Sequence, residues 1–215
     1  MESTSTAKNE IDPLLYDLFE FRPRKGDLKK VEIIKASIEC LATLGIEKTS
    51  YEAIAKVIGT RRAHVAYHFA DKHEIFKSAI KYILATYQQM SLEHIAKATS
   101  GEDMLIKYVE AAFSWADLHP KQVSVILLLY YFCSIDEDYL ELNDRVKKKG
   151  QERIYFILKA QMKKNFTSEK AKALSSIIQN LTSSTIQDCY TTKDYSLKTG
   201  KENVLSIIKT LVETY

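Results

Sequence analysis

Glycine and proline are scarce in this chain of 215 residues, at six and three respectively, and none of the glycines falls in a P-loop, dinucleotide-binding or nucleophile-elbow pattern. With no carboxylate and histidine set standing apart from the ordinary polar residues, the sequence gives no footing to an enzyme or to a bound cofactor. Cysteine is nearly absent too: Cys40, Cys133 and Cys189 are far apart and odd in number. Neither a disulfide framework nor a zinc knuckle is therefore suggested, and reduced, buried thiols are expected. There is no long apolar run. The longest, Val123 to Phe132, is well short of the roughly 20 residues that span a bilayer. The stretch from Met1 to Glu20 is acidic and polar without an apolar centre, unlike a secretory signal. A soluble, cytoplasmic protein with no membrane partner is the expectation.

Charge of one sign is also missing in bulk, since the net charge is only +3, and 46% hydrophobic with 27% charged residues is ordinary for a globular chain. The charge is unevenly spread. Residues 1–21 carry one lysine against five acids, whereas residues 22–75 carry 11 Lys and Arg against seven acids. A basic segment of this size is compatible with DNA and equally with a solvated surface.

What the chain has is helical periodicity. Apolar residues recur at 3.6-residue spacing in long segments, and Gly26, Gly45, Gly59, Gly101 and Gly200 fall where one run stops and another starts, with Gly150 as the exception. The reading is all-α. A first helix is expected from Asp27 to Leu44, with Val31, Ile34, Ile38 and Leu41 on one face. Ser50 is placed to cap a short second helix holding Ala53, Ile54 and Val57, ended by Gly59; Thr60 is placed to cap a third, Arg61 to Phe69. A longer helix follows Asp71, its apolar stripe running Ile75, Phe76, Ala79, Ile80, Ile83, Leu84 and Tyr87. Because no flexible linker intervenes, this helix would join two units mechanically. Further helices are expected over Glu102–Leu118, Lys121–Ser134, Glu137–Lys164 with a bend at Gly150, Ser168–Thr191 and Lys201–Thr214.

Two short helices joined by a tight turn and buttressed by a longer one can present the second to a groove. The major groove of B-DNA, about 12 Å wide, admits one helix, which needs basic and hydrogen-bonding side chains near its N-terminus. Arg61, Arg62 and His64 stand there, with Tyr67 and His68 also directed outward and Val65 and Phe69 inward. Lys72, one turn beyond, suits a phosphate. A competing reading takes His64 and His68, with His73 nearby, as metal ligands, but no acid or cysteine completes such a set.

The stretch from Ser50 to Lys72, SYEAIAKVIGTRRAHVAYHFADK, resembles the signature of the TetR family of repressors. The resemblance reaches back to Gly45 and to Thr49-Ser50, where the family has a hydroxyl pair. It includes Ile54-Ala55, the turn glycine Gly59, His68-Phe69 and Lys72. The chain departs from the pattern at Ile58, where a small residue is usual, at Arg61, commonly Ser, and at Ala66, commonly an aromatic that meets DNA; Tyr67 is adjacent to that loss. The resemblance implies a helix-turn-helix DNA-binding domain at residues 27–75 and a larger ligand-binding and dimerisation domain at 76–215, after a polar arm at 1–26. It implies that Thr49 or Ser50, Tyr67 and Lys72 position the phosphate backbone, while Arg61, Arg62 and His64 approach bases; His68 either joins them or packs against the first helix. Phe21 to Gly26, a basic segment, reads either as a solvated tail or as a minor-groove arm.

The resemblance further implies a homodimer built by the last two helices. Their apolar runs (Leu174, Ile177, Ile178, Leu181, Ile186; then Val204, Leu205, Ile207, Ile208, Leu211, Val212) are broader than one buried stripe needs. Such a dimer would set two recognition helices on a near-palindromic, double-stranded operator. A small-molecule ligand is expected among the middle helices, whose aromatics Phe113, Trp115, Tyr130 and Tyr155 are candidate pocket residues, core packing being the alternative for each. The other function class is a helical sensor of the same fold that has lost operator binding, and the replacement at Ala66 is the feature that raises it.

Overall fold

The structure, a computed structural model, describes residues 28–214. The arm at 1–26 and the expected start of the first helix at Asp27 lie outside the described residues. Nine α-helices follow in order among the described residues: α1 (Leu28–Lys48), α2 (Tyr51–Val57), α3 (Arg62–His68), α4 (Lys72–Ile95), α5 (Gly101–Leu118), α6 (Pro120–Cys133), α7 (Glu137–Phe156), α8 (Ser168–Thr191) and α9 (Leu197–Thr214). No strand occurs among these residues, so the all-α expectation holds.

The helix ends follow from side-chain and backbone chemistry. Gly45 takes φ 75° and ψ 172° and breaks the helical path of α1; the left-handed region it occupies favours glycine. Ser50, Asp71, Ser100 and Thr167 each accept a hydrogen bond from a backbone N–H in the first turn of the helix they open, satisfying donors that have no intrahelical partner. Pro120 both closes α5 and opens α6 at a position where its missing N–H is no loss.

The structure corrects two expected boundaries. Helix α9 starts at Leu197 rather than Lys201, because Ser196 caps it by accepting from the Thr199 amide at 3.1 Å. Gly200 is thus inside the helix and buried, and a Cβ there would lie 2.7 Å from Cys189 Sγ on α8. The helix at Glu137 gives way at Ile157 to a π-helical turn, Ile157–Gln161, instead of continuing to Lys164. Helical backbone continues through Gly150, whose missing side chain makes room for the Gln179 amide of α8, 2.5 Å from where a Cβ would stand.

Helices α1 to α3 and the first turns of α4 share a core of Ile34, Ile38, Leu41, Ile54, Val65, Phe69, Ile75 and Phe76. Val31, expected with them, is only half-buried. Helix α1 is also buried at Ile33, Ala36, Ser37 and Cys40, more than one stripe, because α6 packs on it as well. Lys121 of α6 pairs with Glu39 of α1, and Lys77 of α4 with Asp138 of α7. Exposed pairs of this kind are worth about 0–1 kcal/mol, whereas full burial of one isoleucine is worth about 1.5–3 kcal/mol. Apolar packing, not the ion pairs, holds the N-terminal helices against the rest. No helix among the described residues is long and apolar enough to cross a membrane.

The tightest approach is at Gly101, the first residue of α5, where a Cβ would stand 2.0 Å from the backbone oxygen of Gln161 in the π-helical turn. Alanine in a helix usually stabilises relative to glycine, by about 0.8–1.0 kcal/mol. Here the obstacle is backbone, so Gly101→Ala is expected to destabilise by about 1–3 kcal/mol, measured as a shift of the urea midpoint at unchanged slope; a stabilised variant would contradict this packing.

Candidate nucleic-acid interface and ligand cavity

The turn between α2 and α3 is a Schellman closure. Gly59, at φ 65°, follows the C-cap Ile58; the Thr60 amide donates to Ala55 O at 2.9 Å and the Gly59 amide to Lys56 O at 3.4 Å. These bonds satisfy carbonyls that the end of α2 leaves open. Thr60 is therefore part of the close of α2 and does not cap α3 as expected. The N-cap of α3 is Arg61, whose side chain makes no capping bond.

With seven residues, α3 is too short to be stable alone, and its seat explains its order. Val65 and Phe69 are buried at 0% and 1% exposure. Tyr51 of α2 donates from its hydroxyl to Phe69 O at 3.0 Å, and the Lys30 ammonium of α1 lies 5.0 Å from the centre of the Phe69 ring. Glu74 of α4 accepts from the Ala70 amide at 2.8 Å and faces Lys30 at 3.5 Å. Tyr51, Lys30 and Glu74 were not legible as a seat from spacing alone. The signal for Glu74 was its place three residues after the cap Asp71, the spacing of a capping box.

The face of α3 turned away from this seat consists of Arg61, Arg62, Ala63, Ala66 and Tyr67, all exposed, with Tyr67 at 84%. The guanidinium of Arg62 lies 5.9 Å from the Tyr51 ring centre, close enough for a cation–π contact. His64 and His68 depart from the outward placement expected of them. Both are half-buried, with ring centres 5.0 Å apart, and His64 Nε2 is buried without a hydrogen-bond partner. Burial, then the neighbouring His64, Lys30 and Lys29, hold the His68 imidazole below its ordinary pKa. The reason is geometric: one helical turn separates the two histidines, on the flank between the exposed face and the buried Val65–Phe69 stripe. No group of three or more His, Cys, Asp or Glu that could hold a metal occurs among the described residues.

Thr49 is buried, its hydroxyl donating to Gly45 O at 2.8 Å. Ser50 accepts from the Ala53 amide at 3.1 Å and keeps its hydroxyl hydrogen. Lys72 is exposed in the first turn of α4. Three cations, Arg61, Arg62 and Lys72, thus stand at the positive ends of two helices, where the macrodipole disfavours them. Stability does not account for that choice.

A second feature lies in the larger helical part, a cavity of about 120 Å³ between α4, α5, α6 and α8. Ile83, Leu84 and Tyr87 come from α4, Tyr108, Ala112 and Trp115 from α5, and Val123, Ile126, Leu127 and Tyr130 from α6. Helix α8 adds Gln179, Thr182, Ser183, Ile186 and Gln187. Of the four aromatics proposed from sequence, Trp115 and Tyr130 line it and Phe113 and Tyr155 do not. Phe113 is buried core, its ring 3.4 Å from the Cβ position of Gly200 on α9, and Tyr155 packs half-buried against the core. Tyr87 and Tyr108 were missed as lining residues. So was the polar stripe of α8, which a helical-period reading of Gln179, Thr182, Ser183 and Gln187 would have exposed.

Inside the cavity the polar tips are paired. Tyr108 donates to Gln179 Oε1 at 2.8 Å; Trp115 Nε1 donates to Gln122 Oε1 at 3.2 Å. Burial pushes the Tyr87 phenol up and the Tyr108 phenol well up from their ordinary pKa. Gln122 Oε1 also accepts from Thr86 of α4 at 3.0 Å, so one amide ties α4, α5 and α6 beside the cavity.

Two short helices closed by a glycine turn, the second with a basic exposed face, define a helix-turn-helix DNA-binding protein. Residues 33–79 match the model of the bacterial regulatory proteins of the tetR family. The fold agrees over most of the chain. A transcriptional regulator from Saccharomonospora viridis in complex with choline is similar at TM-score 0.74 and 17% identity, over 85% of this chain and 96% of that one. A TetR-like regulator from Rhodococcus sp. RHA1 is similar at TM-score 0.70 and 13% identity, over 91% and 100%. The multidrug binding protein EbrR complexed with imidazole is similar at TM-score 0.58 and 17% identity, over 88% and 96%. No curated protein matches the chain.

The uncapped first turn of α3 carries its own test. Arg61 already has the extended backbone of an N-cap, φ −91° and ψ 146°, so Arg61→Ser is expected to stabilise the fold by about 0.5–1 kcal/mol in urea titration. A destabilised variant would show that Arg61 serves the fold rather than the exposed face.

Proposed function

We propose that the chain is a repressor that binds a near-palindromic, double-stranded operator as a homodimer in the cytoplasm and is released by a small molecule held in the cavity. The observation that carries the DNA half is the exposed face of α3, led by Arg61 and Arg62 and held against α1, α2 and α4 by buried residues. Arg61 and Arg62 approach base edges, Arg62 pairing two hydrogen bonds with guanine O6 and N7. Tyr67, Lys72 and the free hydroxyl hydrogen of Ser50 take phosphates. Thr49, with its hydroxyl engaged at Gly45, supports Ser50 from inside. His64 and His68 shape the flank of α3 and touch bases only at their edges.

The domain division proposed is 27–75 for DNA and 76–215 for ligand and dimer, with α4 running through the boundary. The dimer reading is supported by Ile177 of α8 and Ile207 of α9, exposed at 42% and 44% on helices whose opposite faces are core. The ligand reading is supported by the cavity and by choline and imidazole in the two similar proteins. A ligand that favours a conformer with displaced recognition helices lowers DNA affinity by the factor with which DNA lowers its own. Helix α4 carries the displacement, since it lines the cavity with Tyr87 and begins beside α3 with Lys72.

The test is a pair of substitutions read by anisotropy on an operator selected from random duplexes. Arg62→Ala is expected to cost about 1–3 kcal/mol on the selected site and relax one base position, whereas Lys72→Ala weakens all sequences alike and lowers the salt slope by about one. Equal losses on all sequences for Arg62→Ala would overturn its base-reading role.

A further inference from the structure

We infer that the cavity selects an uncharged, compact alcohol or phenol and rejects organic cations, an inference that rests on its being the ligand site proposed above. Among the described residues none that lines it is Asp, Glu, Lys, Arg or His, so a charged ligand would leave water without a counter-ion from this lining in contact. At about 120 Å³ it is near the size of a dry cavity of about 150 Å³ that accepts one benzene. Four rings contribute to its wall: Tyr87, Tyr108, Trp115 and Tyr130, with Tyr87 and Trp115 edge to face at 5.6 Å.

Such rings attract cations through their faces, and the same set would serve a quaternary ammonium if a carboxylate stood beside them to offset its lost water. None does among the described lining residues. Arg153 of α7 donates to Gln88 Oε1 of α4 at 2.7 Å. A ligand cation would therefore lose its water with no anionic side chain of this lining to replace it. An anion gains little in exchange, because Arg153 is already hydrogen-bonded and does not line the cavity.

A neutral hydroxyl, by contrast, has partners. Thr182 and Ser183 of α8 donate their own hydrogens to Ile178 O and Asn180 O, which leaves each oxygen able to accept. A ligand O–H can therefore bond at the α8 wall while its apolar body fills the space between α4, α5 and α6. Gln179 and Gln187 on the same stripe add amide groups.

The experiment uses choline and its uncharged carbon isostere, 3,3-dimethylbutan-1-ol, which have the same shape and differ in charge. Trp115 is the chain's single tryptophan and lines the cavity, so its fluorescence reports occupancy directly in the full-length protein. The alcohol is expected to shift Trp115 emission at a concentration at least tenfold below any at which choline does. Ile126→Phe, which narrows the cavity from α6, is expected to reduce the alcohol response several-fold. Choline acting at an equal or lower concentration, or no Trp115 response to the alcohol in the wild-type chain, would overturn the inference. Operator release, read separately by anisotropy, tests the regulatory reading, so the two can fail independently.

Discussion

The seating of α3 is the constraint on which the rest depends. A seven-residue helix has almost no stability of its own, so it exists only because Val65 and Phe69 are buried among α1, α2 and α4. That burial fixes the rotation of α3 about its axis and therefore which residues face outward. The same seat makes the reading face sensitive to its supports, since whatever moves α1 or the start of α4 moves Arg61 and Arg62 with it.

Those supports lead to the cavity by two routes. Helix α4 passes from the Asp71 cap beside α3 to the cavity wall at Tyr87 with no break in its helical assignment. Helix α6 lines the cavity with Val123, Ile126, Leu127 and Tyr130 and packs on α1, where Lys121 pairs with Glu39. Gln122 bonds Thr86 and Trp115, so α4, α5 and α6 share one polar node. Two-state coupling needs an element biased by both sites, and in this chain α4 and α6 are the elements with that reach.

Much of the helical layout was legible because it is written in local chemistry. The caps Ser50 and Asp71, the Gly45 and Gly59 turns and most of the apolar stripes of α1 and α4 act over a few residues and match their expectations. Thr60, expected as a cap, closes α2 instead, and Val31 is only half-buried. What was not legible depends on neighbours distant in sequence. Gly200 looks like a helix end, yet it is a contact with Cys189 and Thr185 of α8. Phe113 and Trp115 share a helix and a chemistry, but only a two-residue rotation about α5 decides which faces the cavity and which faces α9. His64 and His68 sit on the boundary of a face, where periodicity cannot say whether a ring turns in or out. Where local rules fail without a packing reason, at the uncapped Arg61 and at Lys72 against the helix dipole, the residues are the ones proposed to touch DNA, as expected of functional sites.

The most direct measurement is a fluorescence-anisotropy titration of the wild-type protein against duplex from upstream of its own gene and a scrambled duplex, at physiological salt with nonspecific competitor. The account predicts retention of the upstream fragment at concentrations where the scrambled one is free, by a factor of about 10³ or more. Equal binding to the two, and to neighbouring upstream fragments, lost in parallel as salt rises, would contradict a sequence-reading α3.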